Sequence, residues 1–396
     1  MHLLYLHDQP VDSGKASVIQ VLHMCAAFSE LGMDVSLLVP APRTQVADQL
    51  RLAAERQLGK EVSFSILSYP IWRLPRGRFS ALSNYLGIRS AARRAPADWI
   101  FVRAPLFLNA VINRRVPIVF EFHHGSLHDN RLLNRVLMAN LLRNVHGAAV
   151  CRFVAISQKL ADRWIRQGVP ARKLQVLHDG VDRAACEPAG DVTSLRRRLR
   201  LPPDRKMVVY SGSLFADRGI ERVLDLAQAF PDACFVLLGG PEDRATHYRE
   251  RVRRLELENV RVLGPVPHGQ VRDYLAAADV LLMIWSRSVR TIEFCSPLKM
   301  FEYMAAGRII VGDGYPTIRE VLQDGRHALL ADPDSFADLQ RKMKQALSMP
   351  YPNPLARAAQ DTAREQYTWT RRAQTILETV KPLTEHLEPE MIAAES

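Results

Sequence analysis

The chain has 396 residues, 47% hydrophobic and 24% charged, with a formal net charge of +11. Its length suggests two domains, and its composition excludes a chain that is disordered over most of its length. Five widely spaced cysteines, an odd number without a CxxC pair, exclude a disulfide scaffold and argue against a zinc site.

The first residues, MHLLYLHDQPVDSG, lack a basic leader region and a small-residue cleavage site. No apolar run is long enough to span a bilayer. The expectation is a cytoplasmic protein, soluble or peripheral on the inner face of the membrane. HLLYLH reads as a strand and DQPVDSG as a turn. A helix follows, with Val18, Leu22, Cys25 and Phe28 at helical spacing, and it ends near Gly32. DVSLLVP, VSFSIL, DWIFVR, PIVFEFHH, FVAIS and LQVLHDG read as further strands, several of them separated by helical segments. This rhythm implies a parallel, doubly wound sheet. Residues 183–206 read as a polar, proline-containing linker. After it the pattern restarts, with KMVVYSGS, CFVLLGG, VRVLG, DVLLMI and RIIVGD as strands. A helix, TRRAQTILETV, follows Trp369. The expected domains are 1–183, with helix 371–386 packing back on it, and 184–370, leaving a tail at 387–396. With two such sheets, the expected site is the cleft between them.

The charge is unevenly spread. Residues 1–183 hold 24 Lys+Arg against 13 Asp+Glu, whereas 184–396 hold 29 of each. The excess is densest over 71–94, where Arg73, Arg76, Arg78, Arg89, Arg93 and Arg94 are interleaved with Trp72, Phe79 and Tyr85 and no acid. Such a stretch suits an anionic membrane or acceptor. The alternative is a solubilising face with arginine stems laid on the core. No nucleic-acid-binding motif accompanies it, so nucleic acid is not an expected partner.

Four constellations carry chemistry. In YSGSLFADRG a strand ends in a Gly/Ser loop, and Arg218-Gly219 opens a helix. Free N–H groups and the positive end of the helix favour an anion there, and Arg218 either adds a fork that matches phosphate or is a surface arginine near a turn. In FCSPLKMFEYMAAG, Ser296 is the expected N-cap, Pro297 the first helical residue and Gly307 the stop. Lys299 then lies in the first turn, where a cation opposes the dipole unless an anion is near. Glu302 is three residues on, and either a nucleotide site or a local Lys299–Glu302 pair fits. In VDSGKASV, Gly14 and Lys15 form either a plain flexible turn or one that admits a phosphate or sugar; it is neither a Walker A loop nor GxGxxG. In FEFHHGSLH, one of His123, His124 and His128 is expected to bond a sugar from the cleft, while a structural role stays open for His124 and His128. No acidic or cysteine set supports a metal there.

In this order, the motifs resemble glycosyltransferase family 4, the retaining enzymes of the GT-B fold, over nearly the whole chain. FEFHH is similar to the strand bearing the family's histidine, and His123 matches it. YSGSLFADRG resembles the GRLxxxKG phosphate loop, with Ser213 in place of its arginine. The E-x7-E pair is incomplete, with Phe294 at the first position, Glu293 beside it and Glu302 at the second. The SPLK variant resembles a subset of bacterial envelope-polysaccharide and lipopolysaccharide transferases.

The resemblance implies transfer of a sugar from a UDP- or GDP-sugar to a glycan or lipid-linked acceptor, with no cofactor or metal. Gly264 to Val266 would read the base, and Glu302 would hold the ribose. Arg218, Ser213 and the helix start Ser296, Pro297, Leu298 and Lys299 would face the diphosphate. His123, Gly14 and Lys15 would meet the sugar and acceptor from the first domain. His123, Arg218 and Lys299 are the expected catalytic residues. A nucleotide-sugar-binding partner subunit or epimerase on the same fold is the alternative.

Overall fold

The computed structural model describes residues 1–42, 45–70, 81–114, 116–145 and 150–385. They form two compact units, residues 1–178 with 369–396, and residues 179–368. The chain thus leaves the first unit at His178, five residues before the expected boundary, and returns at Trp369.

The first unit is built on seven parallel strands: β1 (His2–Leu6), β2 (Asp34–Ala41), β3 (Ser65–Pro70), β4 (Trp99–Val102), β5 (Ile118–Phe122), β6 (Val150–Ala155) and β7 (Leu174–Val176), in the order β3-β2-β1-β4-β5-β6-β7. Strands β1, β4 and β5 are almost wholly buried apolar runs, as a sheet covered on both faces requires. Between β1 and β4 the winding reverses, so that crevice at the carboxyl ends is where a ligand would bind. The helix Ala16–Glu30 buries almost every position from Val18 to Phe28, because the sheet lies on one side and the C-terminal helix Trp369–Glu385 on the other. Residues 386–396, which include the expected tail, lie outside the described residues, as do 71–80 of the basic stretch.

The second unit has six parallel strands: β8 (Met207–Ser211), β9 (Cys234–Leu238), β10 (Val260–Gly264), β11 (Val280–Met283), β12 (Ile309–Asp313) and β13 (Leu329–Ala331), in the order β10-β9-β8-β11-β12-β13. Alternate residues feed two cores. Val209, Val236, Leu281 and Ile310 point to one, and Val208, Phe235, Leu282 and Val311 to the other. The reversal point here is between β8 and β11. Strand β13 was not expected, since three apolar residues carry little periodicity.

The expected linker at 183–206 is a correction. It contains a helix, Val192–Arg198, and Cys186, Leu195 and Leu201 belong to the second unit's core. Arg196, 6% exposed, donates to the carbonyl of Ala277 (2.9 Å) and to Asp279 (2.7 Å). Its polar composition conceals a segment anchored by a buried arginine.

Candidate active site

In the second unit the candidate site residues gather at the carboxyl ends of β8 and β11. After β8 the chain turns through Gly212 and Ser213, and Leu214 N–H bonds the carbonyl of Gly240 after β9 (2.8 Å). The β8 and β9 loops touch so closely that a Cβ on Gly239 would run into the carbonyl of Gly212. Arg218 ends a short 3-10 turn, and Gly219 (φ 78°) switches the chain into the helix Ile220–Ala229. The Nε of Arg218 is buried and has no hydrogen-bond partner; Asp217 Oδ1 lies 3.6 Å away.

Lys299 projects from the first turn of the helix Leu298–Ala305. Its Nζ is buried without a hydrogen-bond partner, 4.3 Å from the ring centre of Tyr210 and 5.0 Å from that of Trp285. Aromatic faces attract a cation but offer its N–H groups only weak contacts in place of oxygen acceptors. Burial, and then the charge of Arg218, push the Lys299 amine down to about 7. An ammonium that lacks acceptors is costly unless an anion completes its shell.

The Lys299–Glu302 pair does not form. Glu302 instead lies 3.7 Å from His268 Nε2, at the start of the helix His268–Ala277. That contact links it to the loop Gly264–Pro267. This loop is itself pinned by Arg249, which donates to the carbonyls of Val262 and Leu263 (both 3.0 Å). Gly264 has φ 83°, and a Cβ there would lie 2.7 Å from Arg249 and from Glu242. Val266 is half-buried against the core. The expected N-cap is a second correction. Pro297 is the N-cap and the helix begins at Leu298, while the Ser296 hydroxyl accepts the N–H of Asp179 (2.8 Å). A tertiary donor has claimed the oxygen that local rules give to the helix.

Sequence reasoning also missed Arg222 and Asp313. Asp313, wholly buried at the end of β12, takes both Arg222 nitrogens (2.8 and 2.9 Å) and the N–H of Trp285 (2.9 Å). The pair fixes the loop that places Trp285 over Lys299. A lone acid closing the apolar run RIIVGD was the available signal.

In the first unit the site lies at the ends of β1, β4 and β5. His123 follows β5, whose end is held by stacking of Phe122 on Trp164 (4.0 Å) and by the Trp164 indole bonding the carbonyl of His124 (3.0 Å). Glu121, fully buried, accepts from His123 Nε2, from Gln20 (3.0 Å) and from Arg372 (3.0 Å). A carboxylate only accepts, so Nε2 carries the ring proton. Nδ1 is then the acceptor, and Arg103 Nη2 (3.2 Å) is its donor. Arg103 Nε also lies 2.9 Å from Nε2, but that nitrogen has no lone pair in this tautomer.

Burial and the Arg103 charge lower the imidazole of His123 to about 4. Burial alone would raise Glu121, but Arg372, His123 and Arg103 outweigh it and hold the carboxyl well below its usual range. The site is therefore a neutral imidazole clamped between an ionised carboxylate and a guanidinium.

His7, just past β1, was not singled out from sequence. It is 3% exposed, neither ring nitrogen has a hydrogen-bond partner, and burial and then Arg103 push its imidazole well down. Gly14 (φ 62°) turns the chain into the helix Ala16–Glu30, and Lys15 bonds Gln9 (2.6 Å). His128 accepts the N–H of Asn130 (2.9 Å) in a local turn, and His124 is exposed. The three histidines do not converge.

Two family models together cover most of this architecture. Residues 17–185 match Glycosyltransferase Family 4, and residues 191–366 match Glycosyl transferases group 1. The chain belongs to glycosyltransferase family 4. This transferase is 27% identical over 295 residues to D-inositol 3-phosphate glycosyltransferase 1 of Catenulispora acidiphila, covering 66% of this chain and 68% of that one. It is 28% identical over 371 residues to 2-deoxystreptamine glucosyltransferase of Streptomyces kanamyceticus, covering 84% and 90%. The crystal structure of Anabaena HepE in complex with UDP superposes with a TM-score of 0.72 at 20% identity, covering 96% of the transferase and all of HepE. The fold is GT-B, two Rossmann-like α/β units.

Proposed function

We propose that this glycosyltransferase moves a sugar, with retention, from a UDP- or GDP-sugar to a glycan or lipid-linked acceptor in envelope polysaccharide synthesis. The observation that carries the donor site is Lys299. Its buried Nζ lacks an acceptor and sits beside Arg218 at the Gly212 loop, where a diphosphate would complete both cations. Lys299 then takes over the charge that Ser213 does not supply. Gly264–Val266 would present backbone to the base, and Glu302 would hold the ribose hydroxyls. HepE, a relative in fold, has been crystallised with UDP-glucose, which supports a uridine donor.

Breaking the anomeric C–O bond builds negative charge on the leaving β-phosphate. Lys299 and Arg218 would meet that charge, stabilising the transition state more than the ground state and doing the work of a metal. The departing phosphate would take the acceptor's proton on the same face, giving retention. His7 and His123, with the Gly14–Lys15 turn, would bind the sugar and acceptor from the first unit, His7 through its unpartnered nitrogens.

Thermal shifts with UDP, GDP, ADP, CMP and their sugar conjugates test this reading. A ligand at a hundredfold excess over Kd adds about 2.7 kcal/mol of stability. One nucleotide should stabilise the wild type, and should fail to do so in Lys299→Met, Arg218→Ala and Glu302→Ala. Stabilisation that survives in all three variants would place the donor elsewhere.

A further inference from the structure

The buried charges of the first unit do not end at His123. Arg372, from the C-terminal helix, is 5% exposed and reaches Glu121 across 251 positions of sequence. Its guanidinium also donates to the carbonyls of His178 (2.9 Å) and Leu177 (3.3 Å) and approaches Met24 Sδ (3.5 Å). One side chain thus holds the carboxylate that carries the His123 proton bond and the last two residues before the chain leaves the unit.

We propose that Arg372 is a positioning residue for the transfer reaction, fixing the tautomer and orientation of His123 through Glu121. It touches neither sugar nor acceptor. The physical case is one of charge. Glu121 is wholly buried and must be ionised to accept three donors at once. Among the described residues, the other cation paired with Glu121 is Arg103, 3.9 Å away and engaged with His123 and the carbonyl of Ser17. A buried carboxylate deprived of its partner recovers a proton, either on itself or on the imidazole beside it. Either event changes the ring: a protonated Glu121 becomes a competing donor, and an imidazolium loses the Nδ1 lone pair. The other ionisable groups facing this cluster include Tyr5, His7, Cys25, His124 beside Arg103, His178 beside Arg372 and, through His7, Lys15. None carries a charge that could replace the guanidinium next to Glu121.

The inference rests on the reading that His123 acts on the sugar, so the experiment separates the two. Donor affinity, kcat, KM and the kcat–pH profile are measured for wild type, His123→Ala, Arg372→Lys, Arg372→Gln and His123→Ala/Arg372→Gln. The ionisation of His123 is followed in 15N-histidine spectra.

Arg372→Gln should keep the nucleotide affinity and lower kcat at least about tenfold. It should raise the His123 ionisation by a unit or more and move the acid limb of the profile with it. Arg372→Lys should restore much of the rate. The double variant should be no slower than His123→Ala. Where Arg372→Gln does not fold, Glu121→Gln/Arg372→Gln, which removes the unpaired charge, is used in its place and should show the same loss of kcat.

The inference fails if kcat falls while both the ionisation and the tautomer of His123 stay fixed in the 15N spectra, or if the two substitutions multiply. It also fails if His123→Ala is fully active while Arg372→Gln is slow. Loss of nucleotide binding in the wild type would instead overturn the donor-site reading and leave the histidine titration as the test of Arg372.

Discussion

Lys299 sits in a place that folding alone would give to a methionine. Its amine is pushed down to about 7 from 10.5, so between those values the unfolded chain binds more protons than the folded one. Stability should therefore rise with pH across that window and be level below it. Lys299→Met should lose this slope and melt several degrees higher at pH 7, read by thermal unfolding at a series of pH values. Binding has the opposite sign. A nucleotide-sugar needs the charged amine and raises its ionisation, so affinity should be full below about pH 7 and weaken above it. Any residual binding by Lys299→Met should lack that dependence; an unchanged melting temperature with pH-independent wild-type binding would show that the amine is not desolvated. Sequence placed this lysine correctly in the first helical turn, since the SPLK spacing carries that. It could not show the rings of Tyr210 and Trp285 that strip the amine of acceptors, because they come from strand ends 89 and 14 positions away. His7 was invisible for the same reason: one imidazole after an apolar run looks alike whether its nitrogens are satisfied or bare.

At the scale of elements, the loop from Gly212 to Gly219 joins strand to helix within very little room. Gly219 has φ 78°, and an added Cβ would stand 3.0 Å from the backbone of Trp285. Left-handed backbone costs a side chain roughly 1–2 kcal/mol, and the neighbour here is main chain that cannot swing aside. Gly219→Ala should therefore lower stability by about 1–3 kcal/mol in urea titrations and weaken nucleotide binding by displacing Arg218. Equal affinity in a destabilised variant would mean that Arg218 is not held by this turn. Most strands were legible as short apolar runs between turns, the three-residue β13 excepted. Less so were 183–206 and the start of the helix at Leu298. In the first, Arg196 buries a charge that composition assigns to solvent. In the second, Asp179 captures a hydroxyl that helix rules assign to capping.

For the whole molecule, charge asymmetry is the feature that sequence shows best and the fold sharpens. In the first unit the helices Ala81–Arg94 and Arg131–Asn144 carry no acid. Both pack on the helix Pro105–Val111. They present Arg93, Arg94, Arg131, Arg135 and Arg143 beside the exposed apolar side chains Leu86, Leu132 and Val136. No helix among the described residues is long and apolar enough to cross a membrane. We propose peripheral attachment through this surface, the described part of 71–94 included. Co-sedimentation with vesicles containing anionic lipid should show binding that falls steeply with salt and is weakened in Leu132→Ser/Val136→Ser; indifference to lipid charge would remove the idea. The return of the chain to its first unit has a consequence for biosynthesis. Glu121 is made 251 residues before Arg372, so the nascent first unit waits without the guanidinium that completes this buried cluster while the second unit is synthesised. A ribosome stalled before Arg372 would hold a first unit still lacking its last helix, and a chaperone would find its client at the end of the protein that was made first.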